Sequence, residues 1–242
     1  MQEIDKIINH RRAVRVYDEN ASYNPDITKK CVERATLAPS SSNMQLWEFV
    51  KVSNIKVKEE LAKHCMNQSA ARTAAELLVV VVRKDLWKQR ANFNIGVIKD
   101  SLKDKLPKDY TKRDKRGIDY YAKLMKIVYS EFFGLLGFIK YITFWVLGLF
   151  RPVYRQVRKS DMRIVAHKSA ALASQTFMLS MAAEGYDTCP MEGFDSLRVK
   201  KTMKLPASAE INMIIACGIR AENGVYNKRT RLPFNEVYSE IN

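Results

Sequence analysis

Apolar residues recur at helical spacing from the start of the chain. Ile4, Ile7 and Ile8 share one face of residues 2–9, and Arg11 and Arg12 follow directly. A second helix is predicted from Asn24, a good N-cap, with Pro25 at the first helical position. Its inner face is Ile27, Cys31, Ala35 and Ala38, ending before Pro39. The period then changes. "WEFVKV" (47–52) and "LLVVVV" (77–82) read as strands, the second apolar enough to be buried on both faces. From Asp161 to Glu184 the stretch "AHKSAALASQTFMLSMAAE" predicts a long helix of small residues, with Gly185 placed to cap it. "INMIIACG" (211–218) predicts a further strand. Helices and strands are mixed rather than strictly alternating, which predicts an α+β fold over a doubly wound sheet. No repeat, low-complexity tract or Pro/Gly-rich linker divides the chain, so residues 1–242 read as a single domain.

One segment departs from this pattern. "FFGLLGFIKYITFWVLGLF" (132–150) is nineteen mostly apolar residues, long enough by itself to suggest a membrane span. Lys140 near its centre would cost roughly 2.5 to 3.5 kcal/mol in a bilayer. Gly134, Gly137 and Gly148 also weaken a continuous helix. The chain carries 41 Lys and Arg against 26 Asp and Glu, a net charge of +15. Between Lys99 and Lys168 there are 17 basic and 7 acidic residues, so ten of the surplus charges surround the apolar run. Such a balance attracts polyanions, anionic lipid or a phosphate-bearing ligand and is silent about fold. Cys31, Cys65, Cys189 and Cys217 are far apart, and His10, His64 and His167 form no ligand spacing with them, so no metal site is expected. Residues 1–9 lack the features of a secretory signal, and a cytoplasmic location with reduced thiols is the default expectation.

Three clusters carry candidate chemistry. "HRRAVRVY" sets Arg11, Arg12 and Arg15 just after a short helix. An isolated Arg pair is ordinarily a solvated face, but planar bidentate donors also suit a phosphate clamp. "APSSSNMQLW" offers Ser40, Ser41, Ser42 and Asn43 on a loop leading into a strand. That is ordinary turn chemistry when alone, and no GxSxG elbow or Ser/His/Asp set accompanies it, which excludes a serine hydrolase. The third is "CPMEGFD" (189–195), where Gly193 permits close backbone approach, together with "KRTRLP" (228–233), which adds Arg229 and Arg231.

The order "RRAVRVYD", "APSSSNMQLWEFV", "GYDTCPMEGFD", "KRTRLP" resembles the FMN-dependent nitroreductase family, with matches over about residues 3–82 and 161–238. The resemblance implies an α+β fold with a central, mainly antiparallel sheet flanked by helices. It also implies a homodimer with two FMN sites at the subunit interface and NADH or NADPH as co-substrate. By that analogy Arg11, Arg12, Ala13 and Arg15 contact FMN. Arg15 lies near the pyrimidine end, where a cation favours the anionic reduced flavin. Arg229 and Arg231 join Arg11 at the phosphate. Ser40, Ser42 and Asn43 line the flavin, and the backbone of Pro190, Met191, Glu192 and Gly193 lies over the ring near N5. Three positions depart from the family pattern. Ala13 replaces a common serine, Leu46 stands where proline often precedes Trp47, and the expected polar amide upstream of the second strand falls on Gln68 in preference to Asn67. The implied chemistry is flavin-borne hydride transfer in a ping-pong order to nitroaromatic, quinone or similar acceptors, with no protein nucleophile.

On this reading residues 83–160 are an insertion that covers the flavin pocket in relatives and is long here. A single crossing by 132–150 would put Arg11, Arg15 and Ser40 on one side of a membrane and Gly193, Arg229 and Arg231 on the other, so it is excluded. Two readings of the run remain: a protein-buried lid or dimer contact, and a peripheral foot on an anionic membrane with Tyr141 and Trp145 at headgroup depth. Two other functions compete with the leading one. One is reductive dehalogenation of the iodotyrosine-deiodinase type. The other is a non-enzymatic basic membrane-binding protein. No nucleic-acid motif is present.

Overall fold

The computed structural model describes residues 2–130 and 135–241. At its centre is a four-stranded sheet in the order β1-β2-β4-β3, antiparallel at every pairing. The strands are β1 (Trp47–Val52), β2 (Glu76–Val82), β3 (Asp187–Met191) and β4 (Glu210–Gly218). The continuous apolar run of β2 resolves into two alternating sets, because successive side chains point to opposite faces. Leu78, Val80 and Val82 enter one core with Trp47, Met213, Ile215 and Phe177. Leu77, Val79 and Val81 enter the other with Leu61, Met191, Ile214 and Ala216. The α+β class and the antiparallel sheet expected from the sequence are what form.

Helices cover both faces. The first core is closed by α2 (Pro25–Ala35) and the long α9 (Lys159–Ala183), where Ala166, Ala170, Ala173 and Phe177 face inward at helical spacing. The second is closed by α3 (Ile55–His64), α4 (Ser69–Thr73) and α10 (Ser196–Thr202). Asn24 caps α2 as predicted, its side chain accepting from Asp26 N at 3.0 Å. Gly185 ends α9 at φ +81°, and the two closing bonds, Gly185 N to Ala182 O and Tyr186 N to Met181 O, form a Schellman motif. Helix α1 (Glu3–His10) leads the chain and a single turn, α11 (Phe234–Val237), lies near its end.

β3 was not expected as a strand. "DTCPM" has no alternation to reveal it, and Pro190, which cannot donate to a ladder, is tolerated because β3 lies at the sheet edge.

Among the described residues of 83–160 the chain is mainly helical: α5 (Trp87–Asp100), α6 (Lys112–Asp119), a π-helical turn (Tyr120–Leu124), α7 (Met125–Tyr129) and α8 (Leu135–Leu147). Ala91, Met125 and Tyr129 extend the first core into it, and Trp87 stacks on Tyr129 with ring centroids 6.1 Å apart. Phe132, Phe133 and Gly134, the first residues of the apolar run, lie outside the described residues. Lys140 points inward. Its ammonium donates to the carbonyls of Ile127 (3.1 Å), Val128 (3.1 Å) and Ser130 (2.9 Å), satisfying the open C-terminus of α7. Among the described residues no helix is long and apolar enough to cross a membrane.

Candidate functional site

Beyond α1 the chain runs as an extended arm along the edge of the sheet. Ala13 bridges in parallel to Thr188 of β3 and Tyr17 in antiparallel to Arg220. The N–H of Val14 donates to Thr188 O (3.2 Å) and that of Arg15 to Gly224 O (2.7 Å). Gly224 makes this approach possible, since a Cβ there would lie 2.4 Å from Val16 O. Alternation along the arm buries Val14 in the second core and leaves Arg15 facing outward. The arm's start is fixed by an ion pair between the half-buried Arg220 and the buried Asp187. Arg220 binds the carboxylate of Asp187 through its backbone N–H (2.8 Å) and its guanidinium, and also donates to His10 O (2.9 Å).

A cavity of about 360 Å³ opens beside the arm, lined by Arg11, Arg12, Ala13, Arg15, Arg229 and Arg231 with Val225 to Lys228. The two arginine pairs come from opposite ends of the sequence, and Arg229 joins them. Its guanidinium donates to the carbonyls of Ile8 (2.9 Å), Asn9 (3.2 Å) and Arg11 (2.7 Å). Arg12 donates to Asn227 O at 2.5 Å. No described ion pair gives these five arginines a carboxylate partner. Burial, followed by the charges of Arg229, Arg231 and Arg12, pushes the pKa of Arg11 down. Like charges held this close favour binding of an anion.

A second cavity, also about 360 Å³, is lined by Arg15, Gln68, Ser69, Ala70 and Tyr226. Arg15 and Tyr226 belong to both, so the two form one groove with its cations at one end. At the other end Gln68 Nε2 donates to Gly193 O at 2.9 Å, joining the predicted amide to the loop after β3. Pro190 and Met191 are in β3, and Glu192 and Gly193 are exposed just beyond it. Beneath the arm Thr188 Oγ1 is buried without a hydrogen-bond partner. Neighbouring Cys189 has its pKa raised by burial despite the charges of Arg15 and Arg11, so its thiol stays neutral. Tyr226 and Asn227 were missed in the sequence, where "GVYN" looks like any turn.

Ser40, Ser42 and Asn43 are elsewhere. Their loop precedes β1, at the opposite edge of the sheet, and at the end where β1 meets Val82 and Glu210. The arm meets the end defined by Cys217 and Gly218. Three strand spacings and seven residues along β4 separate the two, on the order of 25 Å. The loop is held in the left-handed region at Ser42 (φ 53°), Asn43 (φ 48°) and Gln45 (φ 48°), a conformation that costs energy in non-glycine residues. Several contacts hold it. Ser41 N donates to Ser169 Oγ on α9 (3.2 Å), and Tyr121 Oη to Ser42 O (3.0 Å). Ser42 Oγ pairs with Tyr120 Oη (2.6 Å), and Asn94 donates to Asn43 O (3.1 Å). Asn94, Tyr120 and Tyr121 thus brace this loop together with α9, through side chains that no motif in the sequence marked. Among the described residues no group of His, Cys, Asp and Glu could hold a metal ion.

The chain is similar to proteins of one family. The family model described as "Nitroreductase family" matches residues 8–219. Protein DrgA of Synechocystis is 27% identical over 226 residues, covering 93% of this chain and 88% of its own. MhqN of Bacillus subtilis, named among NAD(P)H nitroreductases, is 24% identical and spans 98% of both chains. A solved structure from Exiguobacterium sibiricum, described as a complex with FMN, has the same fold with a TM-score of 0.68 at 22% identity. It covers 100% of this chain and 98% of its own.

Proposed function

Because the chain belongs to the nitroreductase family, we propose that it is an FMN-dependent oxidoreductase. On this reading it takes electrons from NADH or NADPH and passes them to nitroaromatic, quinone or similar acceptors. The observation that carries the reading is the groove whose one end holds uncompensated arginines and whose other end holds Gln68 and Gly193. FMN, when bound, supplies the hydride-accepting and hydride-donating ring.

This chain's residues fit that group. Arg11, Arg12 and Arg231 supply charge-assisted donors to a phosphate, and Arg229 fixes the turn that presents them. Arg15, midway along the groove, provides positive charge beside the polar edge of a ring. The backbone of Ala13 and the Pro190 to Gly193 segment form the wall, with Gln68 holding Gly193 in place. The lost hydroxyl at Ala13 removes one side-chain donor and leaves the backbone pairing intact. No acid, base or nucleophile is required of the protein. It positions, sets charge and excludes water, and a single open groove suits donor and acceptor binding in turn, a ping-pong order.

Ser40, Ser42 and Asn43 complete such a site from a second copy of the chain, which makes the active form a homodimer. Residues 1–242 then form one domain, with 83–160 inserted and bracing the serine loop. A cytoplasmic enzyme peripheral to a membrane belongs to the same reading, since α8 presents apolar side chains outward. Purification tests the chemistry. The expected protein is yellow, releases FMN on denaturation and oxidises NADH or NADPH only when an acceptor follows. A colourless protein that FMN cannot reconstitute would falsify the reading.

A further inference from the structure

We infer that α8 and the turn after it form an in-plane foot for an anionic phospholipid bilayer. The inference rests on the peripheral-membrane part of the reading above and not on its flavin chemistry. Phe138, Ile139, Ile142, Trp145, Leu149 and Phe150 lie along one side at helical spacing and are exposed. Phe138 is 61%, Trp145 50% and Phe150 83% accessible. Isolated exposed apolar residues need no explanation, but a contiguous aromatic and aliphatic stripe marks an interaction surface.

The opposite side of α8 is fastened to the protein. Gly137 is buried, Tyr141 and Phe144 are half-buried, and Lys140 is committed to the end of α7. The guanidinium of Arg158 stacks on the Tyr141 ring at 4.8 Å. Arg155 donates to Gly148 O at 2.8 Å and so closes the C-terminal end. The stripe is therefore presented on a fixed support.

Cations stand at both ends of the stripe. Phe138 shares a hollow with Arg158, Lys159 and Arg163, the last paired with Glu210, and Arg151 follows Phe150 directly. Between Lys99 and Lys168 basic residues outnumber acidic ones by 17 to 7. An apolar stripe with aromatic rings and a basic rim matches a bilayer interface, where rings sit at headgroup depth and cations meet anionic lipid. The thirteen residues of α8 span about 20 Å, less than the roughly 30 Å of a hydrocarbon core. It lies in the surface and does not cross. A second copy of the chain fits less well. In a two-fold contact the patch meets itself, and the basic rims would face one another.

The test uses full-length protein with FMN added and two sets of vesicles, one of phosphatidylcholine alone and one with a quarter phosphatidylglycerol. Co-sedimentation with the anionic vesicles is expected at low salt, falling at high salt and near zero on the neutral ones. Phe138→Asp with Ile142→Asp should lower the bound fraction roughly tenfold. Both positions are exposed, so flavin content and NADH oxidation should match wild type. Brominated lipid should quench Trp145 fluorescence, read as the signal lost in Trp145→Phe. The inference is overturned if wild type fails to sediment, or if the double variant sediments equally. It is also overturned if the double variant halves the solution mass without lipid, which would assign the stripe to a second copy. A colourless preparation that still binds vesicles would sink the flavin reading alone.

Discussion

Arg229 and Arg231 stand two positions apart in the same groove and differ in what they touch. Arg229 holds three carbonyls at the end of α1, whereas among the described residues Arg231 hydrogen-bonds only to the neighbouring Thr230 O at 2.6 Å. Arg231→Ala should therefore weaken FMN binding alone. A charged hydrogen bond is worth about 1.5–3 kcal/mol, so a loss of roughly 10- to 100-fold is expected in a fluorescence titration, with little change in Tm. Arg229→Ala should lose affinity and melting temperature together. Equal flavin affinity in wild type and Arg231→Ala would remove Arg231 from the proposed phosphate site. Buried thiols give a second residue-scale expectation. Burial pushes Cys31 and Cys65 up from 9.0 to about 11. A thiol that stays protonated longer in the folded than in the unfolded chain adds stability that is fully present below pH 9 and is lost as pH rises toward 11. The size is on the order of 2 to 3 kcal/mol for each. Urea midpoints at pH 8 and pH 10.5 check it, and no fall at the higher pH would contradict the burial argument.

Elements were legible where one local signal sufficed. Asn24-Pro25 started α2, the continuous apolar run gave β2, and Gly185 marked the end of α9. Gly185 also permits a direct test. A Cβ there meets no atom within 4 Å, so Gly185→Ala isolates the cost of the left-handed backbone at φ +81°. That cost is about 1 kcal/mol, and Tm should fall by roughly 2–4 °C in calorimetry. An unchanged Tm would show that the Schellman turn contributes nothing to global stability. β3 was illegible because its neighbours in the sheet, not its own residues, make it a strand. The role of Lys140 was illegible for a related reason. From sequence it was a charge spoiling an apolar helix, and in three dimensions it is the cap of another helix. Lys140→Met should leave three carbonyls at the C-terminal end of α7, those of Ile127, Val128 and Ser130, without this donor and loosen the α7–α8 junction by about 1.5–3 kcal/mol. Hydrogen exchange should accelerate there while the sheet stays protected. Uniform protection in both proteins would mean that water replaces the ammonium at no cost.

At the scale of the molecule, the sequence named candidate residues for a site but not the distances between them. The arginines of the arm and of "KRTRLP" converge because α1 and residues 225–231 meet along the β3 edge. Ser40, Ser42 and Asn43 do not join them, since the strand order sends their loop to the β1 edge. A separation on the order of 25 Å exceeds the length of one FMN molecule. Strand order is a long-range property that no local motif encodes, which is why one list of candidate residues concealed two separate clusters. If both halves hold the same FMN, two chains must supply them, and two-fold symmetry then creates two sites for every pair of chains. Flavin affinity and subunit affinity become linked, because a ligand that binds only the dimer stabilises the dimer. Dilution should release FMN over the same concentration range in which the mass halves, and excess FMN should move both transitions to lower protein concentration. Sedimentation velocity followed at the protein band and at the flavin band measures both at once. A monomer that retains FMN at full occupancy would place the whole site on one chain and assign the serine loop a different task.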